Sequence, residues 1–508
     1  NLTASRGNLT INSNGSLGLA NTSLNASAGN VSLTGRAGIS LTGNSSIAAK
    51  DNITLHAPVG GMNINGEANA SMGIRSSNGS ITFTAHNPSA GEVTGINLGN
   101  ADVQANNGSI DLNGSAINGS LQSSAVKLNT VKLTAKNNIS LNASGAGSAI
   151  VGSNIVLNSK DSINVNATGK SSGYSFAVAG FSYSSFTAKN NISFASSGTE
   201  EEGTHMQSAL GFYGNTLFDA KNTALTGKHR NPGLSTQYAT IGVTITNSSP
   251  GYTDGVGNLT VNGNLSINGD TKDGGPGVVI GANVNVIGQV DIKGTSPSGE
   301  GVSFTTSADD GNPSRVVNLN INISEGGNIS GTSDTGTGLM NGNKKNVVNI
   351  VTGNQTTLSL TGKSLSGDGI IVRGIVTGNT QGSHDGEVIF TGHSDDGRGV
   401  NLSDANMTGV RVSGNANRGV GVSLSGSVTD GSLAGNSVSR SGVHVAGDST
   451  LTDVALSGGS IDGSGVVVNA NLTNLGDSRV SGRATGNGTG VELAGTVSGG
   501  NISGAATT

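Results

Sequence analysis

The 508-residue chain contains no cysteine, which excludes a disulfide scaffold and a thiolate metal site and leaves stability to packing. Charged residues make up only 11% and the net charge is -5, so there is no basic face to attract DNA or RNA, and no nucleic-acid partner is expected. No apolar run is long enough for a membrane-spanning helix. No 3.6-residue periodicity persists over a substantial helix either, so the crossover helices of an ordinary parallel sheet are missing. The 7 histidines are scattered without a ligand spacing, and the calcium-binding nonapeptide repeat is absent, so neither a metal nor another cofactor is expected. Aromatics are 3% of the chain. Glycine is abundant, at 84 positions, but together with 7 prolines it stays below the share that marks a low-complexity or disordered chain. The sequence opens at Asn1 rather than Met and stops in mid-pattern with "GNISGAATT", as a fragment or processed form of something longer would.

What is present is repetition. "LTAKNNISLNAS" (133–144) returns as "FTAKNNISFASS" (186–197), and more loosely as "IAAKDNITLHA" (47–57) and "FDAKNTALTGK" (218–228). Each copy reads as strand, turn, strand: a bulky apolar residue, Ala-Lys, Asn at the turn, then alternation such as Ile139-Ser140-Leu141 that sends apolar side chains to one face. The same grammar runs through "GNVSLTGRAGISLTG" (29–43), "GNLTVNGNLSING" (257–269) and "RVVNLNINIS" (315–324). Asn and Gly supply the positive φ that tight turns need, while outward Ser and Thr remain solvated or form ladders.

From about residue 277 a Gly-Val or Gly-Ile start recurs: "GVVIGANV" (277), "GVSF" (301), "GIIV" (369), "GVNL" (399), "GVGVSL" (419), "GVHV" (442), "GVVV" (465) and "GVEL" (490). The later ones are roughly 20 to 25 residues apart, which suits one coil of three short strands whose inward Val, Ile and Leu are buried only when another coil stacks on it. The expected fold is all-β, a parallel β-helix or solenoid with short irregular insertions. At about 22 residues per coil and about 4.8 Å per step, some 23 coils would extend on the order of 110 Å.

One region breaks the pattern. All 5 Tyr and most of the 9 Phe lie between 174 and 252, beside "TEEEGTH" (199–205) and "GKHRNPG" (227–233). Three segments are therefore expected: Lys-Asn coils over 1–173, aromatic-rich coils with insertions or an extra-helical loop or hairpin over 174–256, and Gly-Val coils over 257–508. Exposed rings beside polar groups bind sugars, since the apolar face of a pyranose stacks on a ring while carboxylates and amides hold its hydroxyls. Candidates for glycan binding are Tyr174, Phe176, Phe181, Tyr183, Glu201, His205, Phe212, Tyr213, His229 and Arg230. The alternation in "YSF" and "FSY" fits a buried aromatic stack equally well.

The chain carries 28 Asn-x-Ser/Thr motifs, against about 14 expected by chance from its 61 Asn. Strand grammar writes some of them, as turn Asn, inward apolar residue, outward Ser or Thr. In "NNGSIDLNGSAINGS" (106–120) x is Gly and no inward side chain is demanded, so Asn107, Asn113 and Asn118 are the leading glycosylation candidates, followed by Asn14, Asn78, Asn138 and Asn191.

The Ala-Lys-Asn phrases, the "GNLT" units, the dense Asn-x-Ser/Thr motifs and the absent cysteine resemble the filamentous haemagglutinin-like exoproteins of two-partner secretion systems. Within that group, the Gly-Val coils and "STLTDVALSGGSIDGSG" (449–465) resemble the glycosylated, high-molecular-weight adhesins. The "NPNG"-like motif of the family's secretion domain is not found; the Asn-Pro pairs read "NPS", "NPG" and "NPS". The resemblance implies a right-handed coil and a secreted or surface-bound bacterial adhesin without enzymatic activity. It implies as partners an outer-membrane transporter, a cytoplasmic glycosyltransferase, host cell-surface or mucin glycans, and flagellin through bridging of flagella to the host surface.

Two other classes compete. β-Helices include polysaccharide lyases and hydrolases that work with clustered carboxylates, and "FTGHSDDGRG" (390–399) offers His393, Asp395, Asp396 and Arg398. Because "FTTSADDGNPSR" (304–315) repeats Asp-Asp-Gly at the same offset, the pair reads as a repeat's turn. The third class is a passive stalk. "GKSSG" (169–173) lacks the following helix of a nucleophile elbow, and "LTGKSLSG" (360–367) has Thr357 where a phosphate loop requires Gly.

Overall fold

A computed structural model describes residues 1–68, 71–120, 122–171, 177–200, 207–229, 240–246, 257–272, 274–304, 318–341, 347–378, 386–472, 479–496 and 499–507. These residues form 44 strands and no helix, so no helix among them is long and apolar enough to cross a membrane. The described strand pairings are parallel and link each strand to one that follows it by one to three places in the chain. The fold is an all-β parallel β-helix. It divides into two compact units: Asn1–Tyr238 with Val243–Thr253 and Leu259–Asn264, and Ala239–Gly242 with Asp254–Asn258 and Leu265–Thr508.

In the first unit, alternation in the sequence becomes alternation of burial. Ile53–Ala57 and Ile110–Ala116 bury every second side chain, as a strand with one face on a core must. Successive coils stack like on like. One interior column runs Leu24, Ile47, Ile74, Val103, Leu133, Leu157, Phe186, Phe218. A second runs Val31, Ile53, Ile81, Ile110, Ile139, Ile163, Ile192. The four copies of the repeated phrase start at Ile47, Leu133, Phe186 and Phe218, so all mark the same corner of a coil; the coils between carry degenerate versions such as "IRSSNGSITFTA" (74–85). In the fourth copy the expected turn is absent, because the chain runs through it as one strand, Thr216–His229, with Lys221 and Asn222 turned outward.

Coils are less uniform than 22 residues. The step from Asn8 to Asn30 is 22, that from Arg75 to Gln104 is 29, and that from Asn222 to Asn264 is 42. In the 29-residue coil, residues 87–93 form an excursion between the strands Ile81–His86 and Thr94–Ala105. Strands of the aromatic segment, Ala177–Ser182, Ser185–Ala188 and Gln207–Tyr213, continue the columns in register. The loop or hairpin expected in that segment falls on 172–176, 201–206, 230–239 and 247–256, outside the described residues.

The second unit is built on three further columns. The Gly-Val starts stack as Val278, Val302, Leu339, Ile370, Val400, Val422, Val443, Val466 and Val491. Facing the glycines that precede them is an inward column of Gly269, Gly294, Gly331, Gly362, Gly392, Gly414, Gly435, Gly458, Gly482 and Gly504. Here the coil narrows until there is no room for a side chain: a Cβ on Gly331 would lie 1.8 Å from the Gly338 carbonyl oxygen. Two residues beyond the inward glycine, a buried Ser fixes the turn at Ser296, Ser333, Ser364, Ser394, Ser437 and Ser460, while Thr271, Ala416 and Ala484 fill the same position in other coils. Ser364 Oγ accepts from Gly367 N at 2.9 Å and donates to the Gly336 carbonyl of the preceding coil at 2.6 Å; Ser394 does the same with Gly397 N and Gly367 O. The repeat therefore reads Gly-x-Ser-x-x-Gly-x-Gly-Val, of which sequence analysis singled out only the last two positions.

Candidate functional site

The aromatic residues divide sharply. Phe181, Phe186, Phe194, Phe212 and Phe218 are all at most 1% exposed and form one interior cluster. Phe186 stacks on Phe218 (5.2 Å between centroids, 16°) and Phe181 on Phe212 (5.8 Å, 18°), while Phe194 meets them edge-on. A ring without an exposed face cannot stack on a pyranose, so Phe181 and Phe212 are core residues and not sugar contacts. Tyr213 is also buried, lying against Gly211 and Gly180, and burial raises its phenol pKa despite a hydrogen bond with Ser208. His229 is 0% exposed, and burial lowers its pKa to about 4. Neither faces solvent as a binding residue would. Tyr174, Phe176, Glu201, His205 and Arg230 lie outside the described residues.

Tyr183 is different. At 59% exposed, it is the one described aromatic side chain that reaches solvent. It sits in a column of corners at Asn100, Thr130, Asn154, Tyr183 and Gly214, with φ of 46°, 54°, 54°, 50° and 74°. Asn suits this left-handed conformation and Gly is free in it, but a bulky ring there is strained. The corner is held from above: Tyr183 N donates to Tyr213 O at 3.0 Å, and Gly214 N donates to Thr246 O at 3.0 Å. The ring lies over Gly214, where an added Cβ would meet Tyr183 Cε1 at 2.5 Å. The result is a flat apolar surface on a rigid corner, with exposed Asn154 and Asn215 at the corresponding turns of the coils on either side. Such an arrangement can stack a sugar ring and offer amides to its hydroxyls.

The acidic turn has another role. Asp395 accepts from Asn417 Nδ2 at 2.7 Å, Asp396 pairs with Arg418 Nε at 2.8 Å, and His393 Nε2 is 3.8 Å from Asp395. Arg398 N donates to Asp368. The carboxylates tie one turn to the next coil's turn, as repeat positions would. Among the described residues no group of three or more His, Asp or Glu converges as a metal site. In "LTGKSLSG", Lys363 belongs to the strand Thr357–Ser364 and stands beside His393 of the next coil.

Of the glycosylation candidates, Asn14, Asn78, Asn107, Asn118 and Asn191 are exposed, and Asn113 and Asn138 half-buried. Several belong to side-chain ladders: Asn166 Nδ2 donates to Asn142 and Asn142 Nδ2 to Asn113, each at 3.0 Å, while Asn222 donates to Asn191 at 3.1 Å. Comparison with known protein families, curated proteins and solved structures finds no match to this chain.

Proposed function

We propose that this chain is a secreted bacterial adhesin of the two-partner type, glycosylated at Asn-x-Ser/Thr motifs, which holds sugar-binding elements on a β-helical scaffold. Its expected partners are host cell-surface or mucin glycans, flagellin, an outer-membrane transporter and a cytoplasmic glycosyltransferase. The observation that carries this reading is Tyr183, an exposed ring kept at a corner whose φ of 50° favours Asn or Gly. An exposed residue in a strained conformation that a better-suited residue could relieve is a candidate for function. The engagement of Asp395 and Asp396 by Asn417 and Arg418 favours adhesion over polysaccharide cleavage.

The test is a host-glycan array probed with the native chain, Tyr183→Phe and Tyr183→Asn. Asn already occupies the same corner at Asn100 and Asn154, so the fold is retained. Binding of at least one glycan by the native chain and Tyr183→Phe that is lost in Tyr183→Asn is the expected result. Equal binding by all three would remove Tyr183 from the site, and binding by none would leave the passive stalk as the better reading. Intact mass at the unmodified sequence value would refute glycosylation.

A further inference from the structure

A cleft of about 420 Å³ opens on the first unit, far along the chain from the aromatic segment, with Ser16, Ser40, Asn63, Thr94 and Asn97 in its lining. Four successive coils contribute to it. Ser40 stands beside Asn63 and Asn63 beside Asn97 in the strand register. The floor carries almost no side chain, because Gly38 and Gly61 turn the corner there. Gly38 has a φ of +134°, and a Cβ on Gly61 would lie 2.5 Å from the Thr94 carbonyl oxygen. The excursion before Thr94 is fastened beside the cleft by Asn87 Nδ2, which donates to Thr94 O at 3.1 Å.

The lining contains hydroxyls and amides and no charged group. Asn97 Nδ2 donates to Asn63 Oδ1 at 2.7 Å, which orients both amides and leaves the Asn63 Nδ2 donor and the Asn97 Oδ1 acceptor for a ligand. The lining offers an ionic ligand no counter-charge, so nothing there offsets whatever hydration binding displaces. A ligand with both donors and acceptors and no charge, such as a sugar, meets no such penalty. The coils also set a repeat, for polar groups recur every ~4.8 Å and three steps cover about 14 Å, the reach of a short oligosaccharide lying along the coil axis. We propose that this cleft is a binding site for a neutral oligosaccharide, oriented across the coils by Ser40, Asn63 and Asn97. It is separate from the Tyr183 reading and needs no contribution from that corner.

The experiment titrates the native chain with neutral tri- and tetrasaccharides and with their uronate-containing counterparts, read by saturation-transfer NMR and calorimetry. Ser40→Leu with Asn63→Leu fills the cleft from outward strand positions. Thr54→Leu, an exposed outward position outside the cleft, is the control, and unfolding curves verify that each variant folds. Expected are neutral-sugar binding by the native chain and by Thr54→Leu, at least 10-fold weaker binding in the filled cleft, and no preference for uronates. Asn97→Asp, a milder change, is expected to weaken binding in the same direction. Unchanged affinity in the filled cleft, preference for uronates, or no binding of any neutral sugar by the native chain would overturn the proposal. Loss confined to Tyr183→Asn would assign the binding to the corner, so the two readings fail separately.

Discussion

Replacing Gly392 by Ala adds one methyl group where the coil is narrowest. Its Cβ would lie 1.9 Å from Gly399 O and 2.6 Å from both Gly399 C and Val400 Cγ2, whereas real Cβ contacts stay above 3.0 Å. The two backbone segments must therefore part by roughly 1 Å. They cannot do so alone, because Gly392 is registered with Gly362 and Gly414, and Gly399 N donates to Val420 O at 3.0 Å. Overpacking a filled core costs about 1–3 kcal/mol, occasionally more; with three coils strained together, we expect about 3 kcal/mol. Coils couple mainly to their neighbours, so a single melting temperature would dilute the effect. Hydrogen exchange resolved by peptide is the better assay. Opening of Thr357–Ser364, Glu387–Ser394 and Arg411–Ala416 should rise on the order of 100-fold. Thr391→Ser, at the outward neighbour, should stay within about 0.5 kcal/mol of the native chain. Equal exchange in the two variants would refute the argument that the glycine column is sterically required.

The aromatic cluster makes a second prediction: Phe194→Ala removes a ring whose centroid is 4.9 Å from Phe186 and 5.4 Å from Phe212, and should cost about 3–5 kcal/mol in urea unfolding followed over the first unit. Phe194→Leu should cost less than half as much, and equal losses would argue against a packed cluster. His229 makes the third. Its pKa is lowered by burial to about 4 from 6.5, so below pH 6.5 the unfolded chain takes up a proton that the folded chain refuses. Its contribution is complete above pH 6.5 and is lost as pH falls toward 4, amounting to about 3 kcal/mol. His229→Leu should flatten the unfolding free energy over that window; an unchanged slope would refute the assignment.

Period-two alternation made the strands legible, and the spacing of the Gly-Val starts made the coils legible. Two things stayed hidden. The inward Ser of each Gly-x-Ser turn reads as a surface residue by composition, because its burial depends on backbone partners in two different coils. Its signal was the shared offset of Gly, Ser and Gly before Gly301-Val302, Gly399-Val400 and Gly465-Val466. The aromatic residues were ambiguous because alternation separates two faces without saying which is inside. Lysines or carboxylates would have marked the outer set, but Phe181 is flanked by Gly180 and Ser182, small and uncharged. Strict alternation from Phe181 would bury Tyr183. The left-handed corner shifts the phase by one, sending Tyr183 out, Ser184 in to 3% exposure, and Phe186 back into the core.

The columns of the second unit also bear on how such a chain can change. Each coil from Val400 to Val491 presents the same inward valine, the same glycine pair and, with small variations, the same turn to the coil on either side. Its two faces are thus nearly interchangeable, like tiles cut to one edge. A deletion or duplication of one whole coil, for example from Gly399 through Val420, would bring together surfaces that already match. One that began or ended within a strand would break that coil's register, whereas the steps of 22, 21, 23 and 25 residues between Val400, Val422, Val443, Val466 and Val491 leave the column intact. Within this unit the natural quantum of insertion and loss is therefore the coil, and coil number can drift while each remaining contact stays the same.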